Sequence, residues 1–176
     1  KPNGKLFVIV GASGVGKDTL LNEIKRKLTN FHFVKRYITR TLDKNGEDHI
    51  PISNTDFQNK VKDGFFAINW QAHSLSYGIP KDIEDELKKG INVIFNGSRL
   101  ALKQIREDYP YSKIICITAS KKSIESRLIS RNRESKDEIK KRLNREVGKL
   151  PSDTIYVKND IDLETGVKNL INALNY

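Results

Sequence analysis

Residues 11–19 read Gly-Ala-Ser-Gly-Val-Gly-Lys-Asp-Thr, and Gly11, Gly16 and Lys17 fit the G-x-x-x-x-G-K spacing of a phosphate-binding loop. Glycines at this spacing let the chain curl until the backbone N–H groups of Gly11, Ala12, Ser13, Gly14, Val15 and Gly16 face one phosphate chain. Lys17 supplies a compact charge that reaches the β- and γ-phosphates. The next position, where Ser or Thr usually serves a magnesium ion, is Asp18, followed by Thr19. Carboxylate and hydroxyl are hard oxygen donors suited to Mg2+, directly or through water. Asp18 also suits the positive end of a helix by charge alone.

A second set of polar groups follows. Arg36-Tyr37-Ile38-Thr39-Arg40 sets hydroxyls between two guanidinium forks, a combination suited to a phosphate ester or, equally, to a solvated strand end. His49, in Gly46-Glu47-Asp48-His49-Ile50, is a weak signal alone, since a single histidine is more often structural. Residues 70–78 place indole, imidazole, amide and phenol groups within nine positions, although Trp70 and Tyr77 also suit a core. Asn96-Gly97-Ser98-Arg99 follows an apolar run directly, at the kind of strand end where open α/β sheets bind ligands.

These residues need a scaffold that presents strand ends together. Apolar, β-branched and aromatic runs at 6–10, 33–38, 91–95, 113–118 and 154–158 predict buried strands. Helical periodicity occupies 17–28, 55–63, 81–89, 99–108, 121–131, 136–148 and 163–174. Ser135 and Glu138 form a capping box for the sixth of these helices. The last carries an apolar stripe of Val167, Leu170, Ile171 and Leu174. The alternation predicts an α/β fold, a mainly parallel central sheet covered by helices on both faces. Residues 39–53 show neither periodicity and read as a loop or small inserted hairpin.

The 176 residues suit one domain, 1–176, with a self-sufficient core. No apolar run is long enough to span a bilayer, and no leader-like segment opens the sequence, which predicts a cytoplasmic protein with no membrane partner. Cys116, the one cysteine, reads as a small core residue in a reducing compartment. The formal charge of +10 raises nucleic acid as a partner, but the excess is concentrated. Residues 121–149 hold eleven basic and five acidic residues, a net of +6. One arginine-rich segment beside a phosphate loop reads as a clamp on phosphates, not as a nucleic-acid surface.

In the order and spacing of its motifs the chain resembles the guanylate kinase superfamily of P-loop kinases. Within it, the chain is most similar to the ribose 1,5-bisphosphate phosphokinase family of phosphonate metabolism. The resemblance rests on 11–21, 36–40, 46–50, 68–78, 96–99, 127–135 and Asn159-Asp160, and so covers nearly the whole sequence. It implies a three-layer kinase fold with an acceptor-binding region at about 36–80 and a lid at about 121–149. It implies ATP as donor, Mg2+ held by Asp18 and Thr19, and Asn159 at the nucleotide. Arg36, Arg40, His49, Tyr77, Asn96 and Arg99 would bind the acceptor. Lys17, Arg131, Arg133 and Arg142 would act on the transferring group. The partners implied are ATP and a small phosphorylated sugar, with the chain a monomer or homodimer.

Departures from guanylate kinases bear on the acceptor. Those enzymes carry Lys-Ser-Thr where this chain has Lys17-Asp18-Thr19, and Thr-Arg-x-Pro-Arg where it has Thr39-Arg40-Thr41-Leu42-Asp43. His49 stands for a tyrosine. Trp70-Gln71-Ala72-His73 offers no acidic residue to read guanine, and Phe95-Asn96-Gly97-Ser98-Arg99 replaces Asp-x-Asp. The resemblance implies transfer from ATP to ribose 1,5-bisphosphate; the residues alone point only to a phosphate-rich acceptor. The alternatives are a nucleoside monophosphate kinase and a non-catalytic interaction domain on the same fold; retention of Lys17, Arg131 and Arg133 weighs against the last.

Overall fold

The computed structural model describes residues 4–12, 14–41, 48–131, 150–160 and 162–175, apart from the side chains of residues 128, 130 and 131. The chain forms two compact units, Lys1–Val8 with Thr29–Lys113, and Ile9–Leu28 with Ile114–Tyr176. Strand β1 (Leu6–Val10) contributes to both. All five of its residues are buried, the pattern of a strand covered on both faces, and this is why its sequence is an unbroken apolar run.

In the first unit, β2 (Phe31–Phe33) pairs in parallel with β7 (Asn92–Asn96), in the order β2-β7-β1. A separate four-stranded sheet has the order β4-β3-β6-β5. It is built from β3 (Tyr37–Ile38), β4 (Ile50–Pro51), β5 (Phe66–Ala72) and β6 (Leu75–Pro80). The helices of this unit are α2 (Asn54–Lys62), α3 (Ile83–Lys88) and α4 (Leu102–Asp108), the last preceded by a 3-10 turn at Arg99–Ala101.

The continuous strand expected at 33–38 is two strands in two sheets. Val34 N–H still donates to Ile94 O at 3.0 Å, whereas the Arg36 carbonyl already accepts from Ile50 N–H at 2.8 Å. The chain therefore changes sheets at Lys35. Within 39–53, expected as a loop or small hairpin, the described residues contribute the short β4; β5 and β6, not expected as strands, form a hairpin. Its two-residue turn, His73-Ser74, has φ of 53° and 65°. Positive φ at both central positions matches the twist of paired strands, but those positions usually hold Asn and Gly.

In the second unit, β8 (Lys113–Thr118) pairs in parallel with β9 (Ile155–Lys158), in the order β1-β8-β9. Cys116 is wholly buried in β8, as its apolar surroundings predict. Helix α1 (Lys17–Lys27) buries Leu20 and Ile24 and packs on α6 (Leu163–Ala173), which buries Val167, Leu170 and Ala173. Asp162 caps α6, its Oδ1 accepting from Thr165 N–H at 2.7 Å. Helix α5 (Lys121–Arg131) occupies the position predicted for it. The helix expected at 136–148, with its Ser135–Glu138 box, lies outside the described residues.

Candidate functional site

Strand β1 delivers the chain to Gly11 at its buried end. A Cβ there would lie 2.9 Å from the Ile117 carbonyl oxygen and 3.0 Å from Val15 Cγ2, so only glycine lets the loop pass this close to β8. Gly14 and Gly16 hold φ of 86° and 84°, a left-handed conformation costing a side-chain-bearing residue about 1–2 kcal/mol. Gly16 is also the N-cap of α1, and its carbonyl accepts from Leu20 N–H at 3.0 Å. The loop thus runs straight into a helix N-terminus, where unpaired N–H groups and the helix dipole favour an anion.

Lys17 Nζ donates to Gly11 O at 3.4 Å, folding the ammonium back along the loop. Asp18 sits in the first turn of α1, and Thr19 follows. Asn159, at the end of β9, is buried and turned to the loop. Its Nδ2 donates to Val15 O at 2.7 Å, and its backbone N–H donates to Thr118 O at 2.8 Å. Arg127 of α5 completes this side, donating from Nη1 to Gly14 O at 3.3 Å and from Nη2 to Asn159 O at 2.5 Å. Arg127 was absent from the predicted set; the available signal was its place four residues before Arg131. Ser13, Arg133 and Arg142 lie outside the described residues, and Arg131 is described only as the last residue of α5.

In the first unit, Arg36 is buried at 8% exposure, with its guanidinium carbon 4.9 Å from the centre of the Tyr77 ring and 5.9 Å from that of Trp70. Trp70 and Tyr77 are opposite partners across β5 and β6, and their rings stack 5.4 Å apart at 6°. A guanidinium on an aromatic face gains cation–π stabilisation and keeps its in-plane N–H groups for hydrogen bonds. Sequence reasoning left Trp70 open as a core residue; its register opposite Tyr77 makes it part of the platform.

Thr39 locks β3 to β6 twice: its N–H donates to Ser76 O at 3.1 Å, and its Oγ1 accepts from Ser76 N–H at 2.9 Å. Next to it, the Arg40 carbonyl accepts from His49 Nε2 at 2.8 Å, which requires the proton to sit on Nε2. His49 is 2% exposed and thereby ties the two ends of the 40–49 segment. Arg40 Nε is buried with no hydrogen-bond partner. Asn96 ends β7, buried, and Arg99 opens the 3-10 turn that packs against β5. Arg36, Tyr77 and Trp70 are brought into contact, and Arg40 and His49 are joined through the backbone.

Titration is shifted at tyrosines outside these regions. Tyr109 is pushed well above the usual tyrosine range, first by burial and then by its hydrogen bond to Glu84 Oε1 at 2.8 Å. Among the described residues no group of three or more His, Cys, Asp or Glu could hold a metal ion, and no helix is long and apolar enough to cross a membrane.

A glycine-rich loop on β1, a parallel sheet and a small mixed sheet flanked by arginines define a class of P-loop kinase. The chain belongs to the guanylate kinase family, described as Guanylate kinase, whose family model matches residues 3–176. Among solved structures, guanylate kinase from Anaplasma phagocytophilum shares the fold at a TM-score of 0.73 and 18% identity, over 99% of this chain and 86% of that one.

Curated relatives are closer in sequence. Ribose 1,5-bisphosphate phosphokinase PhnN of Brucella melitensis is 39% identical, over 99% of this chain and 93% of that protein. The protein of the same name from Pectobacterium parmentieri is 42% identical, over 91% of this chain and 88% of that one. A bifunctional ribose 1,5-bisphosphokinase-thymidine phosphorylase of Roseobacter denitrificans is 40% identical over 97% of this chain, which spans 26% of that protein.

Proposed function

We propose that this chain, acting as a single kinase domain, transfers the γ-phosphoryl group of ATP to the 1-phosphate of ribose 1,5-bisphosphate, giving 5-phosphoribosyl 1-diphosphate and ADP. An oxygen of the acceptor phosphate attacks the γ-phosphorus as the bond to the β-bridging oxygen breaks, and that oxygen leaves with ADP. The acceptor is already anionic, so no general base is required; positioning and charge stabilisation carry the step.

The loop fits a nucleotide triphosphate, because Gly14 and Gly16 hold the left-handed turns that aim backbone N–H groups inward. Lys17 moves from the Gly11 carbonyl to the β/γ oxygens. Asp18 and Thr19 would hold Mg2+, which neutralises charge on the phosphates; two protein oxygens suffice for an ion that keeps several waters. Arg131, Arg133 and Arg142 supply further positive charge from the lid. At the acceptor, Arg36 grips one phosphate from its aromatic platform, with Arg40, Tyr77, Asn96 and Arg99 adding donors.

The observation that carries the acceptor assignment is the buried Arg36 on the Trp70–Tyr77 stack, in a hairpin whose residues 66–80 include no Asp or Glu. Guanine presents N–H donors that call for carboxylate acceptors, and a site lacking them loses on the order of 10⁴ in discrimination. The relatives named above point to the same acceptor. A panel of phosphorylated acceptors with ATP and Mg2+ tests the reading. The bisphosphate should be turned over far more efficiently than GMP; efficient use of GMP with none of the bisphosphate would make the chain a nucleoside monophosphate kinase.

A further inference from the structure

We infer that Arg127 and Asn159 are positioning residues that fix the direction of the donor loop's N–H groups by holding the carbonyls on its other side. The inference rests on the reading of residues 11–19 as the nucleotide loop and deepens it. In a planar trans peptide the C=O of one residue and the N–H of the next point in opposite directions. Arg127 Nη1 holds Gly14 O, so Val15 N–H is turned the other way; Asn159 Nδ2 holds Val15 O and turns Gly16 N–H likewise. Among the described residues, Val15 N–H makes a long 3.4 Å bond to Ala12 O.

A glycine-rich loop needs this restraint. Flipping the 14–15 peptide rotates ψ of Gly14, and flipping the 15–16 peptide rotates φ of Gly16, so each flip has a glycine at one of its hinges. The two braced peptides are the two flanked by the left-handed glycines.

The brace is itself tightly placed. The Asn159 carbonyl accepts from Arg127 Nη2, and its backbone N–H is fixed to Thr118 O. Its carboxamide occupies the space where a Cβ on Gly166 would lie 2.3 Å from Oδ1, and where a Cβ on Gly16 would lie 2.5 Å from Nδ2. Gly166 on α6 and Gly16 in the loop are thus the two small residues that admit one side chain between them.

The test uses the full chain with four variants: Arg127→Ala, Arg127→Lys, Asn159→Asp and Gly166→Ala. Asn159→Asp keeps the shape but replaces the donor to Val15 O by an acceptor. Gly166→Ala leaves both bracing side chains present and pushes the carboxamide from behind. Affinity for inorganic pyrophosphate and for ADP is measured by calorimetry, with kcat, the acceptor KM, amide hydrogen exchange of the loop and melting temperature alongside.

Arg127→Ala, Asn159→Asp and Gly166→Ala should each lose about 10- to 100-fold in pyrophosphate affinity or kcat, the scale of a misplacement near 1 Å. Exchange at Val15 and Gly16 should quicken, the acceptor KM should stay put, and Arg127→Lys should recover part of the loss. If Asn159→Asp does not fold, Gly166→Ala and the arginine pair decide. Wild-type affinity and exchange in Arg127→Ala and Gly166→Ala overturn the brace, as does a loss that only follows melting temperature. Failure of the wild-type chain to bind ADP and pyrophosphate overturns the nucleotide-loop reading instead.

Discussion

In the donor site proposed for residues 11–19 the groups aimed at phosphate would belong mainly to the backbone, and the side chains of Arg127 and Asn159 bond to that backbone. Around residues 36–99 the arrangement is reversed. The strands of a small mixed sheet form a platform, and in the proposed acceptor site side chains such as Arg36 would do the reaching. A backbone cradle reads the shape of a phosphate chain whatever is attached to it, so it suits a donor shared by many enzymes. A side-chain site changes ligand one residue at a time. Of the departures from the guanylate kinase pattern, His49, the stretch Trp70-Gln71-Ala72-His73 and the stretch ending in Arg99 belong to the side-chain region, and Asp18 alone to the loop.

The largest effect that can test this contrast is at Lys17, the one side chain of the loop assigned to the reacting phosphates. Lys17→Ala should lower kcat by about 10²–10³ or more, with an unchanged melting curve. Wild-type turnover in a folded Lys17→Ala variant would break the donor half. In the acceptor half, Arg36→Ala should raise the acceptor KM by about 10- to 100-fold while the KM for ATP stays within a factor of two. Arg36→Lys should not rescue it, because a point charge replaces a planar fork on the aromatic stack. Steady-state kinetics with each substrate varied in turn separate these outcomes, and equal rises in both KM values would erase the distinction.

Two smaller effects sharpen the contrast in stability. Ser74 holds a left-handed conformation without being glycine. Ser74→Gly should stabilise the hairpin by about 1 kcal/mol, read by denaturant midpoint. The smallest effect is at the Asp162 cap. Hydrogen bonding from the Thr165 backbone N–H, then from its hydroxyl, holds the Asp162 carboxyl below its ordinary 3.8. A lowered folded value means stability that is present above the unfolded value and lost as pH falls through the folded one. Asp162→Ala should therefore melt earlier than wild type at neutral pH, and the gap should close in acid below about 3.8. A constant gap across pH would mean that the charge contributes nothing.

The same division decides what could be read from the sequence. The donor loop is local: Gly11, Gly16 and Lys17 lie within seven residues, after an apolar run and before an amphipathic helix. The fold class follows from such runs, and β1, β8 and α5 stand within a residue of expectation. The acceptor hairpin was not readable in this way. His73-Ser74 lacks the Asn-Gly signature of its turn, and Gly78 and Pro80 argue locally against a strand. What keeps Gly78 in β6 is tertiary: the Phe66 ring fills its side-chain space, 2.4 Å from where a Cβ would be. Arg127 carries only the weak signal of its spacing from Arg131 for a related reason, since its partners are backbone carbonyls 113 and 32 residues away.

The bond between Asn159 and Val15 spans 144 residues of chain. At roughly 5–20 residues per second of synthesis, the loop emerges from the ribosome roughly 7–30 s before its clasp. During that interval nucleotide meets a loop whose Val15 carbonyl still lacks Asn159. Stabilisation by ATP, which acts only on a state that binds it, is then a property of the finished chain and not of the nascent one. A ribosome-bound chain stopped ahead of Asn159 should gain no protease protection from ATP, whereas one extended past α6 should.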